Sequence, residues 1–300
     1  MILKSFEDMK NMLKDTPSKK KLAVVNAVDE HTVEAVILAK KQKLVSPLLI
    51  GDKNSIIKIL NKFKEDPADY EIIQVDSPVA AAKKAVELVR NKGADSILKG
   101  AIQTSDFMRA VVSSESGIKA QKLLSHVCLN QVDNYHKIIF STDGAMVLEP
   151  TFDEKLLILK NALFVLHKLG YEKPKVGVVE SNEIINLKQK NSIEAAKIKD
   201  LYEKGEISGC IVEGPISIDL ALDKEACRIK KYSSDVAGDV DLLLCQQITV
   251  ANVIVKSFQT VGNGKVAGVV VGALAPIVLV SRASSTEEKF NSIILSLLVS

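Results

Sequence analysis

What most limits the fold of this chain is an alternation of short β-branched runs with amphipathic stretches through its first third. LAVVNA leads into a helical pattern from Asp29 to about Gln42, LLIGD into one reaching about Lys64, and EIIQV into AAAKKAVELVRNKG. Short apolar runs, each followed by an amphipathic stretch closed near Gly or Asn, are the pattern of parallel βαβ units. SILKG, Ser96 to Gly100, continues the series and predicts a helix around Phe107 to Val112.

From Ser125 the texture changes. HVCLNQV and KIIFSTD flank the turn-like DNYHK, which reads as a hairpin or as a crossing between domains. A second βα series then runs through a helix from Asp153 to Leu169, KVGVVE, a helix near Ile193 to Glu203, GCIVEG, DLLLC, a helix from Ile248 to Thr260, and AGVVVG. Neither a fixed-period repeat nor a low-complexity linker is present. A chain of 300 residues, at about 150 residues per domain, favours two domains. We place α/β domain I at residues 1–135 plus 275–300, with the C-terminal helix returning to it, and α/β domain II at residues 136–274.

Composition narrows the functional classes. Forty basic and 37 acidic residues are interspersed and leave a net charge of +3, so no basic stripe points to nucleic acid, and any anion site must be local. The Lys19 to Lys21 run reads as a solvated edge. The longest uncharged stretch, Val266 to Ser281, is shorter than the roughly 20 residues of a spanning helix and is broken by glycines and Pro276. It reads as two buried strands and a turn, with no membrane partner. Cys128, Cys210, Cys227 and Cys245 form no C-x-x-C pair, so neither zinc nor a disulfide framework is indicated. The N-terminus is charged throughout, without the apolar core of a secretory signal. A reducing, cytoplasmic setting is the expectation.

In parallel α/β sheets ligands bind beyond the carboxyl ends of the strands. The predicted exits are Gly51 and Asp52, Lys99 and Gly100, Asp143 and Gly144, Glu180 and Ser181, Glu213 to Pro215, Gln246 and Gln247, and Ser281 and Arg282. Two of them offer chemistry. In KGAIQTSDFMRA, Lys99 leaves a strand, Gly100 permits close backbone approach, and Thr104 and Arg109 follow, a set suited to an anionic or phosphorylated ligand. The bland alternative is that Lys99 and Arg109 are ordinary surface charges. In VSRASSTEEK, Ser281 and Ser284 or Ser285 can cap a helix that Glu288 enters, giving free amides and the Arg282 guanidinium for phosphate. Here the alternative is a plain capping box with a solvated arginine. GNGKVAG has the spacing GxGxxxG and precedes a strand, so it reads as a turn. His31, His126, His136 and His167 lack metal spacing, and no GxSxG elbow is present.

Several segments carry a resemblance in the same order along nearly the whole chain. They are KGAIQTSDFMRAVV, GIKAQKLLSHV, KPKVGVVESNE, GEISGCIVEGPISIDLAL, DVAGDVDLLL, the residues Asn252 and Lys256, and GALAPIVLVSRASS. With them the chain resembles the phosphate acetyl/butyryltransferase family, its butyryl-transferring branch most closely. The resemblance implies α/β architecture with two parallel-sheet domains and a cleft between them, like isocitrate and isopropylmalate dehydrogenases, in a homodimer. It implies exchange of a short, butyryl or branched-chain, acyl group between coenzyme A and inorganic phosphate. Acyl-CoA, inorganic phosphate and acyl phosphate are then the partners, coenzyme A is a substrate, and no cofactor or metal is permanently bound. The implied catalytic residues are Ser281, Arg282 and Glu288. Lys99, Gly100, Thr104, Arg109, Ser125, His126, Asn252 and Ser284 are the implied substrate-binding residues. Arg282 and Arg109 are expected on phosphate or acyl phosphate, and Ser281 as a donor to the reacting centre.

Departures from the family pattern bear on mechanism. SRADS reads SRASS, so Ser284 stands at an acidic position and the base for the thiol of coenzyme A falls to Glu287 or Glu288. DGPL reads EGPI at Glu213 to Ile216, and an EAGN-like segment reads TVAN at Thr249 to Asn252. Gly144 stands where acetyl-specific relatives carry a cysteine, which favours direct transfer in a ternary complex. The alternative reading is a catalytically weak or inactive relative that binds acyl-CoA or acyl phosphate. A metal-dependent hydroxy-acid dehydrogenase comes third, lacking an acidic cluster or cofactor loop.

Overall fold

Leu22 to Val25, Leu49, Ile50, Ile97 and Leu98 have essentially no exposed surface, so both faces of the strands that carry them are covered. The computed structural model describes residues 2–14, 20–281 and 284–300. Its two units are Phe6–Leu124 with Ala267–Ser300, and Met1–Ser5 with Ser125–Val266. The crossings therefore lie at 5/6, 124/125 and 266/267, where the sequence leads us to expect 135/136 and 274/275. Strand pairing accounts for the difference: the HVCLNQV strand pairs with the strand after its turn, and AGVVVG pairs with the strand that follows it.

The larger N-terminal part alternates α1 (Phe6–Lys14), β1 (Lys20–Val25), α2 (Glu30–Lys41), β2 (Val45–Gly51), α3 (Lys53–Lys62), β3 (Glu71–Gln74), α4 (Pro78–Arg90), β4 (Ser96–Lys99) and α5 (Thr104–Val111). The strands are parallel in the order β3-β2-β1-β4, with Val24 opposite both Leu49 and Leu98. Helix starts are set by side-chain caps: Asp29 accepts from Thr32 N–H, Asp52 from Ser55 N–H, and Ser77 from Ala80 N–H, with Pro78 entering α4.

In the other unit, β5 (Ser125–Gln131) and β6 (Ile139–Thr142) form an antiparallel hairpin, so DNYHK is a hairpin turn. There follow α6 (Phe152–Lys168), β7 (Lys175–Val179), α7 (Lys190–Glu203), β8 (Ile211–Ile216), α8 (Ile218–Leu222), α9 (Lys224–Lys230), β9 (Leu242–Leu244) and α10 (Ile248–Thr260). The order is β5-β6-β9-β7-β8, parallel from β6 onward. The chain then returns to the first unit through β10 (Lys265–Val271), β11 (Ile277–Val278) and α11 (Thr286–Val299). GNGKVAG is thus the turn into β10. β11 pairs antiparallel with β10 and parallel with β4, which sets Ile277 beside Ile97. α11 packs on α2 and α1, as a returning C-terminal helix requires. Among the described residues no helix is long and apolar enough to cross a membrane.

The interior of the second unit holds an ion pair that periodicity alone does not reveal. Lys155 on α6 is 1% exposed and its Nζ lies 2.6 Å from Glu194 Oε2 on α7, with Asn191 Oδ1 accepting a further N–H at 3.0 Å. Removing one partner leaves the other charge buried and unpaired. Lys155→Ala is expected to cost about 3–5 kcal/mol in urea unfolding. Lys155→Met with Glu194→Leu is expected to recover most of that loss, and a double variant as unstable as the single one would refute the assignment.

Candidate active site

The site is built where β4 and β1 end. At Gly100 an added Cβ would lie 2.4 Å from Val25 O and 2.8 Å from Asn26 O, so only glycine allows the two backbones to approach this closely. The approach is closed by Gly100 N–H to Val25 O at 3.0 Å, Ala101 N–H to Asn26 O at 3.1 Å, and Asn26 Nδ2 to Ala101 O at 2.6 Å. Lys99, the last residue of β4, is thereby turned inward: it is 4% exposed, with Nζ 3.4 Å from Gly100 O.

Above this junction is a cavity of about 610 Å³. Lys99 and Gly100 form part of its wall, the N-terminal ends of α2 and α4 contribute Thr32 and Pro78, and Ser281 and Lys289 close it from the α11 side. Helix N-termini carry partial positive charge and spare N–H groups. With two lysines that are 4% and 3% exposed, the wall is suited to an anion.

The sequence-predicted residues divide three ways. Lys99, Gly100 and Ser281 line this cavity. Ser284 is buried nearby in sequence, with an Oγ that finds no hydrogen-bond partner among the described residues, and Ser285 is the N-cap of α11, accepting from Glu288 N–H at 3.1 Å. Arg282 lies outside the described residues. Thr104 and Arg109, on α5, are exposed and do not line the cavity, and Arg109 pairs with Asp106 at 2.9 Å. α5 starts at Thr104, not at Phe107, and turns Phe107 and Val111 to the core, which leaves Arg109 facing outward. Ser125, His126 and Asn252 belong to the second unit and are described there. Sequence reasoning missed Lys289, because a lysine after two glutamates in a helix's first turn reads as solvated.

In the second unit Ser125 Oγ is buried and accepts from Asn161 Nδ2 at 2.9 Å. Asn252, on α10, is exposed, with Nδ2 3.5 Å from Gly144 O. Asp143, at the end of β6, is 3% exposed and accepts N–H groups from Ala145, Met146 and Val147 at 2.9, 3.0 and 3.1 Å. Burial outweighs those bonds and pushes its carboxyl up to about 6, while burial pushes the adjoining His126 imidazole down to about 4. His126 Nδ1 is buried with no hydrogen-bond partner among the described residues, which favours the neutral ring. All four cysteines are buried; burial raises the Cys210 thiol to about 11 and the Cys245 thiol, also facing the Asp143 charge, to about 12.

Fold and cavity together define an α/β protein whose cavity wall is suited to an anion, and the comparisons carry the assignment further. The family described as phosphate acetyl/butaryl transferase matches residues 60–297. The chain is similar to the phosphate butyryltransferase of Clostridium acetobutylicum, 38% identical over 298 residues that cover 99% of each chain. It is similar in structure to a branched-chain phosphotransacylase from Enterococcus faecalis, with a TM-score of 0.84, 30% identity, and coverage of 93% of this chain and 98% of that one. A 4-hydroxythreonine-4-phosphate dehydrogenase from Burkholderia phymatum shares the fold alone, at a TM-score of 0.56, 14% identity, and coverage of 93% of this chain and 97% of that one. The chain belongs to the phosphate acetyl/butyryltransferase family, and its fold is the two-unit, mostly parallel α/β fold of phosphotransacylases.

Two outcomes test this geometry. Gly100→Ala must push the β1 and β4 ends apart, and is expected to cost about 3 kcal/mol in chemical denaturation; unchanged stability would show that the junction yields freely. In NMR titrations Asp143 is expected to have its midpoint near 6 instead of 3.8, and His126 near 4 instead of 6.5. The stability from neutral His126 is complete above pH 6.5 and is lost as pH falls towards about 4. That from protonated Asp143 is complete below pH 3.8 and is lost as pH rises through about 6. Ordinary midpoints for both groups would refute the buried polar centre.

Proposed function

We propose that the protein exchanges a short acyl group, butyryl or branched-chain, between coenzyme A and inorganic phosphate by direct transfer. The observation that carries the reading is the cavity walled by the inward-turned Lys99, Ser281 and the α2 and α4 N-termini in a chain of this family. A phosphate oxygen attacks the thioester carbonyl carbon, a tetrahedral oxyanion forms, and the C–S bond breaks as the electron pair leaves on sulfur. The products are acyl phosphate and coenzyme A, whose thiolate takes a proton. Lys99 and the helix N-termini of the wall hold phosphate against the carbonyl, so that a bimolecular encounter becomes a positioned one. Ser281 donates to the developing oxyanion, and Arg282 supplies a planar fork for two phosphate oxygens. Glu288, in the first turn of α11, is the group assigned to move the thiol proton.

The raised thiols support direct transfer, since a buried, protonated cysteine is a poor nucleophile. The reading carries with it a homodimer working in the cytoplasm, with coenzyme A as substrate and no resident cofactor. The test is phosphate-dependent release of coenzyme A from butyryl-CoA, with both substrates required before either product appears. Ligand binding without turnover would favour a non-catalytic relative, a reading motivated by Ser284 at the family's acidic position. Ping-pong kinetics with an acyl-cysteine would overturn direct transfer. Arg282→Lys keeps charge but loses the fork, and turnover is expected to fall about 100-fold with the fold intact. Near-normal turnover would remove Arg282 from the mechanism.

A further inference from the structure

Lys289 is a charged side chain of the cavity wall that, among the described residues, is buried against a single carbonyl. It sits in the first turn of α11, is 3% exposed, and donates from Nζ to Ser284 O at 2.9 Å. An ammonium carries three N–H donors. No other acceptor for Lys289 is present among the described residues, and no carboxylate pairs with it. The carboxylates that line the same cavity are engaged elsewhere: Asp29 accepts from Thr32 N–H at 2.9 Å, and Asp106 pairs with Arg109.

Two buried lysines of the second unit differ from it. Lys137 Nζ lies 2.6 Å from Asp241, and Lys155 Nζ lies 2.6 Å from Glu194, so each buries its charge against a carboxylate. Buried charges in folded proteins are paired or ligated. Lys289 instead faces a cavity of about 610 Å³ that Lys99 also lines.

We propose that Lys289 is a phosphoryl-binding residue: its ammonium pairs with a tetrahedral phosphoryl dianion in the cavity while its third donor holds the Ser284 carbonyl in place. The inference rests on the acyl-transfer reading and deepens it. The phosphoryl group has two possible sources, inorganic or acyl phosphate on one side and the phosphates of coenzyme A on the other.

The experiment measures affinities for inorganic phosphate and for coenzyme A separately, by ligand-dependent thermal shift on the full chain, for wild type, Lys289→Met and Lys289→Arg. Lys289→Met is expected to weaken phosphate binding about 10-fold or more, and Lys289→Arg to keep most of it. The unliganded Lys289→Met protein is expected to melt no lower than wild type, because an unpaired buried charge has been removed. If coenzyme A affinity falls and phosphate affinity does not, the proposal stands with the phosphates of coenzyme A as the source. If both ligands protect Lys289→Met as they protect wild type, the proposal is overturned. A lower melting point with unchanged affinities would overturn it too, in favour of a purely structural tie to Ser284. Should Lys289→Met not fold, Lys289→Gln keeps a donor for that carbonyl and reads the same affinities. Wild type that binds phosphate through Lys289 but transfers no acyl group would sink the functional reading and leave this inference standing.

Discussion

The close approach of β4 to β1 at Gly100 is the constraint on which the described cavity depends. Two backbones that meet with no room for a Cβ fix the direction in which the chain leaves β4. That direction points Lys99 inward and brings the turn before α5 against the N-termini of α2 and α4. A side chain at position 100 would widen the junction and displace the neighbouring Lys99. In the acyl transfer proposed above such a displacement adds to the loss of stability, since that reaction would depend on holding phosphate at the carbonyl.

The buried lysines show how the same residue type serves two ends. Lys137 and Lys155 are closed ion pairs, and their role is complete in the protein itself. Among the described residues Lys289 reaches only a carbonyl, and a carbonyl offers a partial dipole in place of a full counter-charge. A fold that keeps such a group out of water gives up stability at that position, which natural chains do where a ligand returns it. The charge on this cavity wall therefore belongs to a bound state.

Periodicity made the elements legible. The βα series, the turn at GNGKVAG, and the return of α11 follow from which residues repeat at helical or strand spacing. Boundaries were less so: α7 begins at Lys190, before its apolar pattern becomes visible at Ile193. At the site, Lys99, Gly100 and Ser281 were legible because strand ends are where such groups gather. Arg109 was not, because the sequence shows that α5 has an apolar face without showing where the opposite face looks. Lys289 follows Glu287 and Glu288, and only the tertiary packing of α11 reveals that this lysine turns inward while its neighbours do not.

Asp143 and His126 carry the electrostatic argument into the second unit. Burial pushes each towards its uncharged form, the acid up to about 6 and the imidazole down to about 4. Between those values the two linkage terms have opposite signs: acidification strengthens the fold through Asp143 and weakens it through His126. The pair thus flattens the stability curve over a range where either group alone would tilt it. A neutral His126 also keeps a donor or acceptor on Nε2 without adding a cation beside the Asp143 carboxyl. Net charge says nothing of this, since +3 spread over 300 residues averages away the local fields that decide which protonation states each site will hold.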